Sequence, residues 1–537
     1  MENLQAPDPS DGRTAAQPPK APAPARQPGE LRIEDLGRWV YTHNPFYAIS
    51  AALVFWGLRS SFDTDVHSFH TYAFVGGLIA YTLLLAVIAC LVIRLGKIWE
   101  DGRTLLLVIV LMFLAISISF DGALKINPRI GPVCCLGGLA LTVLVTEVVL
   151  RGIRLRFPPL FRVPYYLILG LFFIYPAVLA WTLGDPYSPP AQWALLAFPL
   201  LAGLLSLSLL PAVSRGADYV RNNGSPWRWP WYPWAAFFIM GLGVCGRSLY
   251  LCVSMHEVGG ASTIFAPYFV IPFLLAANVL LLEASIRSRS VAATRVAMGV
   301  PVGLLVLAVI PPEWKVGLYF LHETFMGTLG GSPLWLTAWA AAAFYALAHV
   351  RRVPRAADAL CCMLLGLSLI GPQTADLDTL ADPRGLPILI GGIVQGWIAL
   401  RGRGSLRWFL AACCIAAAAT LDGRGTWLMA CRGAIPAHGL LAVALFLGAR
   451  FHDPFARALQ NAGAAMILGA TIVSLVSDPG MLGDVPRIWL AVYAALAIAT
   501  AVVYGRLVRN WLYVGSAAAG AACWLGVLST LTVYVRL

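Results

Sequence analysis

Long apolar segments, separated by short stretches of charged residues, proline and glycine, run through almost the whole of this 537-residue chain. Each segment has about 20 residues, which is enough for a helix to cross about 30 Å of hydrocarbon. Backbone amides in lipid must be hydrogen-bonded within their own segment, and the segments lack the alternation of barrel strands. The pattern therefore predicts an all-α, polytopic helical bundle embedded in a membrane.

The apolar pattern divides into about seventeen candidate transmembrane helices, in a range of about 15 to 18. Four of them are short or interrupted, namely those that begin near Val291, Ala357, Leu386 and Leu406. The predicted starts, in chain order, lie near Phe46, Tyr72, Thr104, Val133, Val163, Ala191, Pro233, Thr263, Val291, Pro333, Ala357, Leu386, Leu406, Gly433, Leu459, Pro486 and Trp511.

The loops between these spans alternate in charge along the chain. If the N-terminus is cytosolic, the loops and tail on that side hold 28 of the 38 Lys and Arg residues, while nine lie on the other side and one lies within a span. An excess of Lys and Arg marks cytosolic loops. One miscounted span would reverse the alternation in every later loop, so the regular pattern predicts an N-terminus inside.

The beginning of the chain differs from the rest. Residues 1–38 are rich in Pro and Ala and poor in large apolar side chains, so we predict a disordered cytosolic tail. Residues 39–537 form the predicted transmembrane domain with short loops. Its early spans are richer in Leu and aromatic residues and its later spans in Ala, which suggests halves at 44–290 and 291–537, although no repeat relates them.

Composition narrows the class of protein. The chain is 59% hydrophobic and 12% charged, against about 25% charged residues in a soluble domain. The net charge of +12 is accounted for by cytosolic loops beside anionic headgroups, so we expect the lipid bilayer as a partner and no nucleic acid. Arg outnumbers Lys, and Ala and Gly are abundant, which favours a bacterial source and therefore the inner (plasma) membrane.

The sequence carries no signature of a cofactor or a metal. Its eleven cysteines include three adjacent pairs but no C-x-x-C spacing, so we interpret them as small apolar residues that pack inside the spans. Neither a P-loop nor a covalent haem motif occurs. We therefore expect no bound cofactor and no metal site.

A cluster of tryptophan and proline occupies residues 226–234, with the sequence Pro-Trp-Arg-Trp-Pro-Trp-Tyr-Pro-Trp. The tryptophan-rich loops of haem-handling membrane proteins lie on the outer face and are served by histidines. This segment is predicted inside and has no histidine nearby. We interpret it as an interfacial anchor, because Trp and Tyr favour headgroup depth and Pro suits the start of a helix.

Arg247 is predicted to lie in the outer half of a span. A charge at that depth is costly unless it pairs, snorkels or lines a wet cavity. Candidate partners on the same side are Asp121, Asp63, Asp65 and Glu257. Either a structural ion pair or contact with an anionic substrate group such as a phosphate fits this position.

Acidic and histidine side chains collect on the predicted outer face. They include Asp63 and Asp65 in the first outer loop, and His256 beside Glu257. Carboxylates and imidazoles can act as general bases and acids, although solvated loop residues explain the same pattern. The proposed catalytic residues are Asp63 and Asp65, and the proposed substrate-binding residues are Arg247, Asp121, His256 and Glu257.

Three classes of function fit these features. We favour a membrane-embedded transferase that acts on a lipid-linked substrate at the outer face, in the broad manner of polytopic glycosyl and phosphoglycosyl transferases. In that interpretation an outer-loop Asp is the base and Arg247 contacts the phosphate. The alternatives are a transporter or flippase for an amphipathic solute and a non-catalytic scaffold subunit.

The charge alternation can be tested with reporter fusions. Reporters placed after Arg156 and Arg403 should be cytosolic, and those after Asp185 and Asp382 extracytoplasmic, because these positions lie in loops of opposite charge balance. An extracytoplasmic reporter at Arg403 would break the alternation and the span count with it.

Overall fold

The computed structural model describes residues 68–126, 129–182, 189–256, 266–309, 325–374, 384–401, 404–421, 453–459 and 511–522, together with isolated positions elsewhere. The predicted tail, the span predicted near Phe46 and most of the spans predicted after Leu406 lie outside these residues. In the described part of the chain the secondary structure is helical, without strands.

Thirteen α-helices of six or more residues follow one another along the described ranges between Ser68 and Leu421, apart from a three-residue helical turn at Gly327–Leu329. They are α1 (Ser68–Arg94), α2 (Trp99–Ile126), α3 (Gly131–Gly152), α4 (Pro159–Thr182), α5 (Pro189–Leu207), α6 (Leu210–Arg215), α7 (Trp231–His256), α8 (Ile271–Ser288), α9 (Val291–Ala308), α10 (Pro333–Val350), α11 (Ala356–Leu369), α12 (Gly385–Arg401) and α13 (Ser405–Leu421). Short 3₁₀ helices cover Ala217–Val220 and Pro267–Val270.

Nine helices in the described ranges are long and apolar enough to cross a membrane, which identifies a multi-pass membrane protein. They correspond to the nine spans predicted between Tyr72 and Pro333. The shorter apolar helices α11, α12 and α13 occupy the next three predicted positions. The full count of about seventeen and the cytosolic N-terminus remain predictions.

Helix α2 is the central element of the first part of the bundle. It packs against α1, α3, α4 and α7. Of the nine candidate spans it has the largest buried share, 61%. Helix α8 packs against α5 and α9, and α10 to α13 follow as a chain of neighbours in sequence order. A helix surrounded by other helices can carry polar groups that a lipid-facing helix cannot, because each group finds a protein partner.

Several basic loops meet at one end of the bundle, where α2, α4 and α7 begin and α3, α8 and α10 end; we call this the arginine-rich end. Trp227 Nε1 donates to the carbonyl of Trp99 (3.2 Å), and the Tyr232 hydroxyl donates to the carbonyl of Arg156 (2.9 Å). Arg351, after α10, pairs with Glu283 near the end of α8 at 2.7 Å. The sequence predicts these loops on one side of the membrane, and they lie at one end of the bundle. That this side is the cytosol stays a prediction.

Close packing of α3 against α2 and α4 depends on one glycine. A Cβ on Gly138 would lie 2.4 Å from Cε2 of Phe120 and 2.9 Å from Cε1 of Phe173. Both rings are buried and lie 6.3 Å apart, centroid to centroid. Small residues let membrane helices approach closely. The absence of a side chain at Gly138 leaves room for the rings of Phe120 and Phe173.

Gly138→Ala should therefore destabilise the protein by about 1–3 kcal/mol, because neither ring can move without disturbing the core. Gly137→Ala is the matched control, since nothing lies within 4 Å of a Cβ at that exposed position. Thermal unfolding in detergent measures both variants. Equal shifts in the two would contradict the packing argument.

Candidate functional site

Arg247 and Asp121 form a buried ion pair between α7 and α2. The guanidinium donates Nη1 to Oδ2 and Nη2 to Oδ1 of the carboxylate, both at 2.6 Å. The side chains are 0% and 1% exposed. This two-pronged geometry is the strongest arrangement that a guanidinium and a carboxylate adopt, and it joins the two helices near the end opposite the arginine-rich end.

Beside the pair, Arg247 makes one aromatic contact, and one of its nitrogen donors has no hydrogen-bond partner among the described residues. The Arg247 guanidinium carbon lies 6.0 Å from the ring centroid of Tyr250, one turn further along α7. Arg247 Nε has no hydrogen-bond partner among the described residues. Removing one member of a buried pair leaves an uncompensated charge, whereas an apolar replacement of both is often tolerated. The pair therefore fixes which faces of α2 and α7 meet.

The other residues proposed for an outer-face site lie beyond the described structure. Asp63, Asp65 and Glu257 fall outside the described ranges, and His256 is described only as the last backbone position of α7. Of the proposed group, the structure brings together Arg247 and Asp121. Their substrate-binding role, and the catalytic role of the two aspartates, stay predictions. Among the described residues no three His, Cys, Asp or Glu side chains are grouped as metal ligands.

A cavity of about 690 Å³ lies along α7 and α8, and we call it the lateral groove. Its α7 wall runs from Trp234 to Cys245, and its α8 wall from Phe273 to Ser288. At about 1.5 Å per residue these walls are about 16 and 22 Å long, which is more than half of the hydrocarbon thickness. Most lining side chains are apolar, and Ser285, Ser288 and Ser290 lie at the arginine-rich end.

The tryptophan-rich segment forms the entrance to this groove. Trp229, Pro230 and Trp234 line it, and the rings of Trp229 and Trp234 meet edge to face at 5.7 Å. Trp234 Nε1 is buried with no hydrogen-bond partner among the described residues. Tyr232 has extended backbone angles, so the regular part of α7 begins at Pro233. The segment thus shapes a cavity in addition to the anchoring role that the sequence predicts.

The groove could not be predicted from composition, but a weak signal exists in α8. The small residues Ala277, Ala284 and Ser288 recur at helical spacing and all line the groove. A stripe of small residues is more often a close helix contact. Here Gly203 of α5 makes that close approach to Phe273 instead, and the stripe lines the groove. Spacing alone does not separate the two outcomes.

Comparison with known protein families, with curated proteins and with solved structures found no match. The interpretation of function therefore depends on the geometry of the ion pair and of the cavities.

Substitutions at the ion pair should separate a structural from a substrate-binding role. Arg247→Met alone should strand the Asp121 carboxylate and destabilise the protein by about 3–5 kcal/mol, while the double variant Arg247→Met/Asp121→Leu should recover most of that loss. Thermal unfolding in detergent of both single variants and the double variant completes the cycle.

Arg151→Met is the control, because Arg151 is 82% exposed and lies 3.7 Å from Glu147; exposed pairs contribute about 0–1 kcal/mol. If Arg247→Met unfolds like the wild type but loses function, and Arg247→Lys restores part of it, the structural interpretation fails and the substrate-binding one stands.

Proposed function

We propose that this protein binds an amphipathic, lipid-linked substrate within the bilayer and acts on it there. The lateral groove is the observation that carries the proposal. It provides a long apolar surface along α7 and α8 that ends in hydroxyl groups and indole rings at the arginine-rich end. An apolar chain and a polar headgroup match these two parts.

The polar end of the groove supports binding of a hydrogen-bonding headgroup. Ser285 Oγ donates to the carbonyl of Leu282 (2.7 Å) and accepts from Thr294 Oγ1 (3.1 Å), so its position is fixed. Trp234 Nε1 is a buried donor in need of an acceptor, and a buried donor without an acceptor is costly. A phosphate or sugar oxygen at this end of the groove would satisfy it once the indole turned to present its N–H to the cavity.

The transferase favoured by the sequence is one form of this proposal. It requires a general base near the outer face, for which Asp63 and Asp65 are the candidates, and a phosphate contact at Arg247 with Asp121, His256 and Glu257 nearby. Its support is the placement of these residues in the sequence. Arg247 would have to exchange the Asp121 carboxylate for a substrate phosphate, which the bidentate geometry makes demanding.

The flippase or transporter is the second form, and a specific observation favours it. The groove ends at Cys245 on α7, and Arg247 follows two residues later in its pair with Asp121. A cavity along one part of a helix and a buried ion pair further along the same helix fit a transporter whose site opens to one side at a time. No residue of α2 lines the groove, so in this form the pair lies on another face of α7 and holds the helix beyond the groove. The scaffold alternative leaves the groove without an occupant.

Blocking the groove tests the proposal. Ala277→Phe and Ala284→Phe place a ring in the lateral groove, which both alanines line, so substrate access should fall while the protein stays folded. Ala140→Phe is the matched control, because Ala140 is exposed on α3 and does not line the groove. We expect at least a tenfold loss of labelling by a phospholipid with a photoreactive acyl chain, or about 1.4 kcal/mol.

Labelled peptides should map to α7 and α8 in the wild type and in Ala140→Phe. Undiminished labelling of both groove variants would refute the proposal. Movement of a fluorescent phospholipid across reconstituted vesicles then distinguishes the two forms, since the flippase predicts transbilayer movement that Ala277→Phe abolishes and the transferase predicts none.

A further inference from the structure

A second cavity, of about 700 Å³, lies at the arginine-rich end between the α3–α4 connection and the turn after α6, and we call it the arginine cleft. Four arginines and one glutamate line it, together with uncharged residues. The charged members are Arg151, Arg154, Arg156, Arg162 and Glu147. The cleft therefore has a formal charge of +3, from four cations and one carboxylate, in a concave site where charges act together.

Backbone hydrogen bonds hold the cleft in shape. The Arg156 amide donates to the carbonyl of Asn223 (2.7 Å), and the carbonyl of Arg156 accepts from the Tyr232 hydroxyl (2.9 Å). Gly224 has φ +83° and packs so closely that a Cβ would lie 2.6 Å from the carbonyl oxygen of Arg154. The connection that carries Arg154 and Arg156 is thus fixed from two sides, so these arginines project from a preformed loop.

The arginines divide into two that are paired and two that are available. Arg162 and Tyr166 both hydrogen-bond to Glu147, and Arg151 lies 3.7 Å from the same carboxylate. Arg154 and Arg156 are exposed and have no carboxylate partner among the described residues. Two unpaired guanidinium forks on one rigid loop suit the oxygens of a phosphate group.

An apolar cavity of about 110 Å³ adjoins the cleft. Leu150, Leu155 and Phe157 line both cavities. The apolar cavity continues between α2 and α7 toward Arg103 and Trp231. A ligand whose phosphate lies among the arginines can therefore place an apolar chain against these shared residues.

We propose that the arginine cleft is a specific site for the phosphate of an anionic phospholipid, whose chain enters the adjoining apolar cavity. The site is distinct from the lateral groove, because the two cavities share no lining residue. Basic residues at a membrane surface attract anionic lipids in general. Arg154 and Arg156 line one cleft that adjoins an apolar cavity, and this combination distinguishes a built site from that general attraction.

Lipid binding to the full-length, delipidated protein in detergent tests this proposal by native mass spectrometry. The probes are dioleoyl phosphatidic acid and dioleoylglycerol, which differ only in the phosphate. Arg154→Gln/Arg156→Gln should weaken binding of phosphatidic acid at least tenfold. The matched control is Arg352→Gln/Arg355→Gln, an exposed pair in the α10–α11 loop, where Arg352 and Arg355 have positive φ, as does Arg154. Binding of phosphatidic acid by this control variant should stay within twofold of the wild type.

Two further arms separate the lipid from a soluble phosphate. Ala236→Phe, in the apolar cavity, should weaken binding of phosphatidic acid and leave any binding of inorganic pyrophosphate unchanged. Pyrophosphate at millimolar concentration should not displace the lipid. Full displacement, with Ala236→Phe behaving as the wild type, would assign the cleft to a soluble phosphate compound and overturn the lipid assignment.

Three other outcomes would overturn the site itself. They are equal binding of dioleoylglycerol, unchanged binding in Arg154→Gln/Arg156→Gln, and an equal loss in the control pair, which would reduce the effect to general surface attraction. The unfolding temperature of each variant shows whether a loss of binding is caused by misfolding. Ala277→Phe should lose photolabelling of the lateral groove and still bind phosphatidic acid as the wild type does. That result would show that the two sites bind their ligands independently.

Discussion

The buried guanidinium of Arg247 constrains how α2 and α7 pack against each other. Arg247 is 0% exposed, and water is not present at its depth to replace a missing partner. Its two bonds to Asp121 require one rotation of α7 and one rotation of α2 about their axes, and no neighbouring setting satisfies both. Since α2 also contacts α1, α3 and α4, the pair fixes the orientation of the most buried span and, through it, the surrounding helices.

Small residues decide where the helices around this pair close and where they remain apart. At Gly138 the absent side chain lets α3 press against the rings of Phe120 and Phe173, which gives a dense contact. Ala277 and Ala284 line the lateral groove, where their short side chains leave space beside α8. Lipid provides no hydrophobic drive between helices, so packing of this kind determines association. The same residue class therefore builds both the core and the cavity.

The sequence predicts the helices well because their signal is local. Each run between Tyr72 and Leu406 is a helix, since length and apolar content alone require it. The sequence also places Arg247 within a span, and Asp121 is among its candidate partners. To identify Asp121 as the partner, rather than Asp63, Asp65 or Glu257, one must know how α2 and α7 are rotated about their axes. The sequence does not provide these rotations. The groove and the arginine cleft depend on distances between helices that are not adjacent in the chain, so neither could be predicted.

The lateral groove and the arginine cleft both have lining residues at the arginine-rich end, while the buried pair lies toward the opposite end. A transferase at the outer face would place its chemistry beyond the pair, away from both cavities. In the flippase form of the proposal, an amphiphile taken from one leaflet would bind at the cavity end, and Arg247 and Asp121 would hold α2 and α7 together beyond it. This contact could open only if another anion replaced the carboxylate or another cation the guanidinium, because separating the pair in lipid strands two charges. A substrate phosphate would meet the first condition. In the proposed flippase, contact with the phosphate and the pair with Asp121 would then be successive states of Arg247, whereas in the proposed transferase they would compete.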